Sequence, residues 1–232
     1  MTGRRRLLEH PTWTALLSAL LGLSVCGFLF AADIPSASRR AEPAATSPKA
    51  AADFLAAWRA HLLASWSVDQ VEERTTTSGA TLRFTLHEAQ RPPDRVRLGG
   101  GATEARRGFT LIACAVPPQG DHPVCRQAPT RRTWRDDVDR DMTTLRGLVE
   151  GPGAVYGVLS PSAGCWDLIL RRPQESVPVV LGRGSKYCLD LATGALVSSR
   201  VQRVGAVDRV MTVTRHAPAT DTDLALPSDA TY

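Results

Sequence analysis

Aromatic side chains are scarce, at 6% of 232 residues. So few rings leave a platform on which nucleic-acid bases could stack poorly supplied. Lysine is nearly absent, with only Lys49 and Lys186 among 28 basic residues. A formal net charge of +5 looks basic, but it includes Arg4, Arg5 and Arg6. Setting aside residues 1–32 leaves 25 basic against 22 acidic side chains. That balance is not the footprint of a nucleic-acid binder. Catalytic signatures are also missing. GLSVCG lies within an apolar run, and LSPSAG has the wrong spacing for a nucleophile elbow. Gly99-Gly100-Gly101 lacks the spacing and the following helix of a dinucleotide loop. No repeat of 20–50 residues is present. What remains, 43% hydrophobic and 22% charged, is ordinary globular composition. The length suits one substantial domain with its own core.

The longest uncharged stretch is Trp13 to Ala32, WTALLSALLGLSVCGFLFAA. Twenty helical residues cover about 30 Å, the thickness of a bilayer's hydrocarbon core. The arginine triplet precedes it, and positive charge stays on the cytoplasmic side. The sequence therefore predicts a cytoplasmic segment 1–12, a single-pass signal anchor 13–32 in the cell membrane, and an extracytoplasmic remainder. A cleaved signal peptide is the competing reading, although its apolar core is normally shorter and Ser36-Ala37-Ser38 is only a passable site. Lipidation at Cys26 is a third, with Val25 and the continuing apolar run making a poor lipobox. Residues 33–50, rich in Ala, Pro, Ser and charge, read as a flexible tether.

Four cysteines fall outside the membrane: Cys114, Cys125, Cys165 and Cys188. An even number in an oxidising compartment predicts two disulfides, with three possible connectivities. Strand parity favours sequential pairing. In CWDLIL, Trp166, Leu168 and Leu170 share one face, which puts Cys165 on the other. In KYCLDL, Tyr187, Leu189 and Leu191 share a face, and Cys188 lies opposite them. Cys114–Cys125 would close the Pro-rich loop VPPQGDHPV. The alternative there, zinc held by Cys114, His122 and Cys125, lacks a fourth ligand nearby.

Ser47-Pro48 supplies a helix N-cap and a proline at the first helical position. Phe54, Leu55, Trp58 and Leu62 follow at helical spacing, giving one amphipathic helix over roughly 48–64. Period two then takes over in SWSVDQVEERTTT and TLRFTLHEAQ, with Ser78-Gly79 as the turn. DRVRLGGG gives a short strand ending in glycines suited to a bulge or sharp bend, and GFTLIACAV gives another. TWRDDVDRDMTTLRGLVEG returns to helical spacing through Trp134, Val138, Met142 and Leu145. Six further strands are predicted, in AVYGVLS, CWDLILRR, VPVVL, SKYCLDL, ALVSSRVQRV and VDRVMTVTRH. This order spells an α+β fold built on an antiparallel sheet.

Three motifs, in their order, resemble a known group. FLAAWRAHL leads to Gln90-Arg91-Pro92-Pro93-Asp94-Arg95-Val96-Arg97, similar to an "RP…R" strand edge. Asp190-Leu191-Ala192-Thr193-Gly194 resembles a D-x-x-T-G hairpin. Asp223-Leu224-Ala225-Leu226-Pro227 resembles a terminal D-x-x-F-x-L-P, with Leu224 in place of the usual aromatic. Together they resemble the superfamily of the bacterial lipoprotein carriers LolA and LolB, which includes RseB and mycobacterial lipid-binding lipoproteins. The chain looks like a membrane-anchored, actinobacterial-type member, with the resemblance covering residues 51–228. It implies a sheet curled into an incomplete barrel with helices on its concave side. It also implies a non-enzymatic module that binds a lipid, or an RseB-like sensor that docks an envelope protein such as an anti-sigma factor. The cysteine pairs are not part of that pattern.

The predicted inner face consists of Leu82, Phe84 and Leu86 on one strand and Trp166, Leu168 and Leu170 on another. Phe54, Trp58 and Leu62 of the first helix are expected to face them around a ligand cavity. No catalytic group, cofactor or metal is assigned. His61 reads as a partly buried helix residue, and His87 and Glu88 point to opposite faces of one strand. Asp136, Asp137, Asp139 and Asp141 form a charged helix face without the glycine turn of a calcium loop.

Overall fold

The computed structural model describes residues 47–76, 78–117, 122–171, 181–202 and 208–226. The predicted span 13–32 and most of VPVVL lie outside them. Among the described residues no helix is long and apolar enough to cross a membrane. The compact unit runs from Ala44 to Tyr232.

Helix α1 (Pro48–Leu63) begins as its capping residues dictate, with the Ser47 side chain accepting from the Ala50 N–H at 3.3 Å. Six strands follow: β1 (Trp66–Thr75), β2 (Thr81–Arg91), β3 (Asp94–Gly99), β4 (Ala102–Arg107), β5 (Thr110–Ala115) and β6 (Val124–Pro129). Helix α2 (Trp134–Val149) opens on a capping box between Thr133 and Asp136. Then come β7 (Tyr156–Ser162), β8 (Cys165–Leu170), β9 (Gly184–Leu189), β10 (Leu196–Gln202) and β11 (Asp208–Ala217). Strands β4 and β6 escaped the sequence reading. ATEARR offers only alanine and threonine as an apolar face, and VCRQAP reads as the end of a loop.

The strands form one antiparallel sheet in the order β6-β5-β4-β3-β2-β1-β11-β10-β9-β8-β7. Strands β6 and β7 end it without pairing to each other, so the sheet is curled and unclosed. Both predicted disulfides are present, each joining directly opposed residues: Cys114 to Cys125 across β5–β6, and Cys165 to Cys188 across β8–β9. Antiparallel partners share a face, which is why parity anticipated the pairing of Cys165 with Cys188.

The apolar side of the sheet is not the same at its two ends. Toward β7–β10 it carries Trp166, Leu168, Tyr187 and Val201, covered by Phe54 and Leu55 of α1 and by Val138 and Met142 of α2. Toward β3–β6 the buried set lies on the opposite face. Ala89 opposes Val96, Val96 opposes Ala105, and Ala105 opposes Ile112, while Gln90 and Arg95 point to the helix side. Leu226 packs on this second cluster, and Leu224 beside it is 3% exposed. The closing Asp-Leu-Ala-Leu motif therefore seals the back of the sheet.

Candidate functional site

The last turn of α1 is fixed by its neighbours' side chains. Carbonyls at a helix C-terminus have no partner within the helix. The His61 carbonyl accepts from Trp66 Nε1 at 3.1 Å and from Gln90 Nε2 at 2.9 Å. Leu62 O accepts from Trp134 Nε1, and Ala64 O from Gln90 Nε2, both at 2.9 Å. The His61 ring stacks on Trp66 with centroids 5.0 Å apart. Its Nδ1–H donates to the Gly194 carbonyl at 2.7 Å. Burial pulls the imidazole down to about 4, against a smaller opposing pull from that carbonyl bond. The ring is therefore neutral at physiological pH, and more deeply buried than its sequence position indicates.

So anchored, α1 stands beside a cavity of about 580 Å³ that it shares with α2 and the sheet. One wall is apolar: Phe54, Trp58 and Leu62 of α1, with Leu145 and Leu148 of α2. Tyr187, Leu196 and Met211 continue it across the sheet. The other end is ionic, formed by Gln70, Glu88, Arg95 and Arg97. Glu88 Oε1 accepts from Arg95 Nε at 2.9 Å and from Arg95 Nη2, while Oε2 accepts from Gln70 at 3.4 Å. Arg97 Nη2 donates to Glu72 Oε2 at 3.2 Å, and Arg74 donates to Glu72 Oε1. Burial opposes ionisation of Glu88, but the charge and hydrogen bonds of Arg95, helped by Arg97, outweigh it and hold the carboxyl below its ordinary range. The same attraction raises Arg95.

Of the nine residues named from sequence, Phe54, Trp58 and Leu62 line this cavity. Trp166 and Leu168 are 3% and 0% exposed and fill the core behind Phe54; Leu170 packs at its margin. The β2 set needs correction. Leu82 is 50% exposed, Phe84 lies under the Arg74 guanidinium at 4.8 Å, and Leu86 is buried opposite Gln70. None of the three faces α1, because the β1–β2 hairpin runs on past the helices. The residues of that strand that reach the cavity region are Glu88 and Gln90, two and four positions beyond Leu86. Carrying period two onward, then across the Pro92–Pro93 turn to Arg95 and Arg97, was the signal that would have found the ionic end.

Elsewhere the arrangement is structural. His87 lies on the back of the sheet, with Nδ1 2.7 Å from Asp69 Oδ1 and Nε2 3.1 Å from the Asp223 carbonyl, tying down the C-terminal segment. Asp137 and Asp139 pair with Arg106 and Arg59. Cys114 and Cys125 are joined to each other, so neither offers a thiolate to zinc. Among the described residues no three His, Cys, Asp or Glu side chains are placed to hold a metal ion.

No family model and no curated protein matches the chain. Solved structures do. An uncharacterized conserved protein from Thermus thermophilus is 12% identical, with a TM-score of 0.41, over 78% of this chain and 98% of that one. A LolA superfamily protein from Nitrosomonas europaea is 10% identical, with a TM-score of 0.30, over 79% and 99%. The Pseudomonas aeruginosa MucA/MucB complex contains a chain 14% identical, with a TM-score of 0.39, over 77% of this chain and 62% of that one.

Proposed function

We propose that this protein is a membrane-tethered extracytoplasmic module that holds a lipid or other hydrophobic ligand without transforming it. The cavity between α1, α2 and the sheet carries this reading: about 580 Å³, within the roughly 300–1,000 Å³ of pockets that hold one small molecule. At its ionic end Arg95 pairs with Glu88 and Arg97 with the buried Glu72, an arrangement for recognition rather than proton transfer. The tether rests on the arginine triplet and the uncharged run 13–32, and the motifs shared with the lipoprotein carriers point the same way.

Thr144, exposed at the cavity, and Leu148, partly buried in its wall, give the test. The exterior domain, residues 44–232, should copurify with extractable lipid and take up acyl probes. Thr144→Trp and Leu148→Trp should keep the circular dichroism of the wild type and lose uptake. A folded wild-type domain that takes up nothing would remove the binder. An envelope regulator docking a membrane protein such as an anti-sigma factor would then come first. That second reading draws on Leu111, Val116 and Val124, exposed apolar side chains at the β6 end of the sheet.

A further inference from the structure

The ionic end of the cavity is unequal in donors and acceptors. Glu88 spends one carboxylate oxygen on two bonds from Arg95 and the other on Gln70. Glu72, wholly buried, spends one oxygen on Arg74 and the other on Arg97. Each guanidinium carries five N–H donors and no acceptor. Arg95 uses two of its nitrogens, both on a single oxygen, and Arg97 uses one. Both oxygens of Glu88 and of Glu72 are thus engaged, with Asp141 and Glu104 adding attraction at longer range, while guanidinium N–H groups of Arg95 and Arg97 remain for something else. Both side chains line the cavity, and 40% of the Arg95 side chain and 35% of that of Arg97 are exposed.

From this excess of donors beside an apolar wall, we infer that the cavity takes a single-chain amphiphile with an anionic headgroup, a carboxylate or a phosphate ester. Its chain lies along Phe54, Trp58, Leu62 and Leu148, and its head accepts from Arg95 and Arg97. Glu88 and Glu72 hold the two guanidinium groups in place, so their forks are aimed before the ligand arrives. A planar guanidinium fork matches carboxylate and phosphate oxygens two at a time, which an alcohol cannot offer. A cationic head would meet the donors' positive charge, while Glu88 and Glu72 are engaged and Asp141, the other carboxylate of the lining, already pairs with Arg140. The cavity's size sets the limit of one chain. This inference rests on the hydrophobic-ligand reading and adds the sign and chemistry of the head.

The test is competition against 11-(dansylamino)undecanoic acid, whose fluorescence rises in an apolar site, using the full chain in lipid nanodiscs with empty nanodiscs as blank. Dodecanoate and dodecyl phosphate should displace it at least about tenfold more strongly than dodecanol, the worth of one charge-assisted hydrogen bond. Dodecyltrimethylammonium should be weakest, and inorganic phosphate alone should not displace the probe. Arg97→Gln keeps a donor toward Glu72 and removes the charge; it should weaken dodecanoate about tenfold and leave dodecanol unchanged. Equal displacement by dodecanoate and dodecanol would overturn the anionic head while leaving the cavity reading intact. Equal loss of both ligands in Arg97→Gln, or displacement by inorganic phosphate alone, would overturn it as well. No binding of the probe or of any chain would overturn both readings together.

Discussion

His61 donates its Nδ1–H to the carbonyl of Gly194 at 2.7 Å, joining two residues 133 positions apart. The bond ties the last turn of α1 to the β9–β10 hairpin, and it fixes the helix edge of the cavity. It also joins two stretches that resemble family motifs, the opening helix and the Asp190–Gly194 hairpin.

Burial holds the His61 pKa near 4, while the unfolded chain has its ordinary 6.5. Between those values the unfolded state takes up a proton that the folded state refuses. Stability should therefore fall as pH drops from about 6.5 to about 4, by up to about 3 kcal/mol. Asp69, Glu88 and Asp223 are held below their ordinary values, so their contribution is lost only at lower pH. Urea denaturation at pH 7, 5.5 and 4.5 would show the loss. His61→Gln, which keeps a donor for the Gly194 carbonyl, should be less stable at pH 7 but flatter with pH. A wild-type profile that is level across this range would count against a neutral, buried His61.

Gly194 has φ 73°, and a Cβ there would sit 2.8 Å from the Ala64 Cβ. Gly194→Ala should cost about 2 kcal/mol from the backbone alone, with more from the collision. It should also weaken acyl-probe uptake, because α1 must move. Gly79 has a similar φ with nothing within 4 Å of the added methyl, so Gly79→Ala serves as the control. Equal losses in the two variants would show that the contact with Ala64 does not matter.

The Cys165–Cys188 bridge spans 23 residues and Cys114–Cys125 spans 11. Replacing both members of either pair by serine should lower stability by about 3 kcal/mol in the chain-entropy picture. Peptide mapping without reductant should recover both pairs and no others. Four free thiols in the exported protein would contradict the compartment read from residues 4–32.

Amino-terminal sequencing of the mature protein tests the anchor. A chain beginning at residue 1 or 2 and fractionating with membranes is the expected result. A start at Ala32, Asp33 or Glu42 would replace the anchor by a cleaved leader.

Local pattern by itself determined α1 and α2 and favoured the pairing of Cys165 with Cys188. Ser47-Pro48 followed by Phe54, Leu55, Trp58 and Leu62 carries a start signal and a buried stripe within four turns. Parity placed Cys165 opposite Cys188 because alternation along a strand is a local geometric fact. Local pattern could not say how far the helices reach along the sheet. Leu82, Leu86, Glu88 and Gln90 lie on one face of β2, yet Leu82 is exposed beyond the helices while Glu88 lines the cavity and Gln90 holds the end of α1. Only tertiary structure decided that division, because exposure depends on what another element covers. It also chose which face of each half of the sheet is apolar. Val96 is buried on the back under the C-terminal Leu226, which leaves Arg95 and Arg97 to the cavity side. Their charges are tolerable there because the sheet brings Glu88 on the adjacent strand β2 to Arg95, and Glu72 on β1, two strands away, to Arg97.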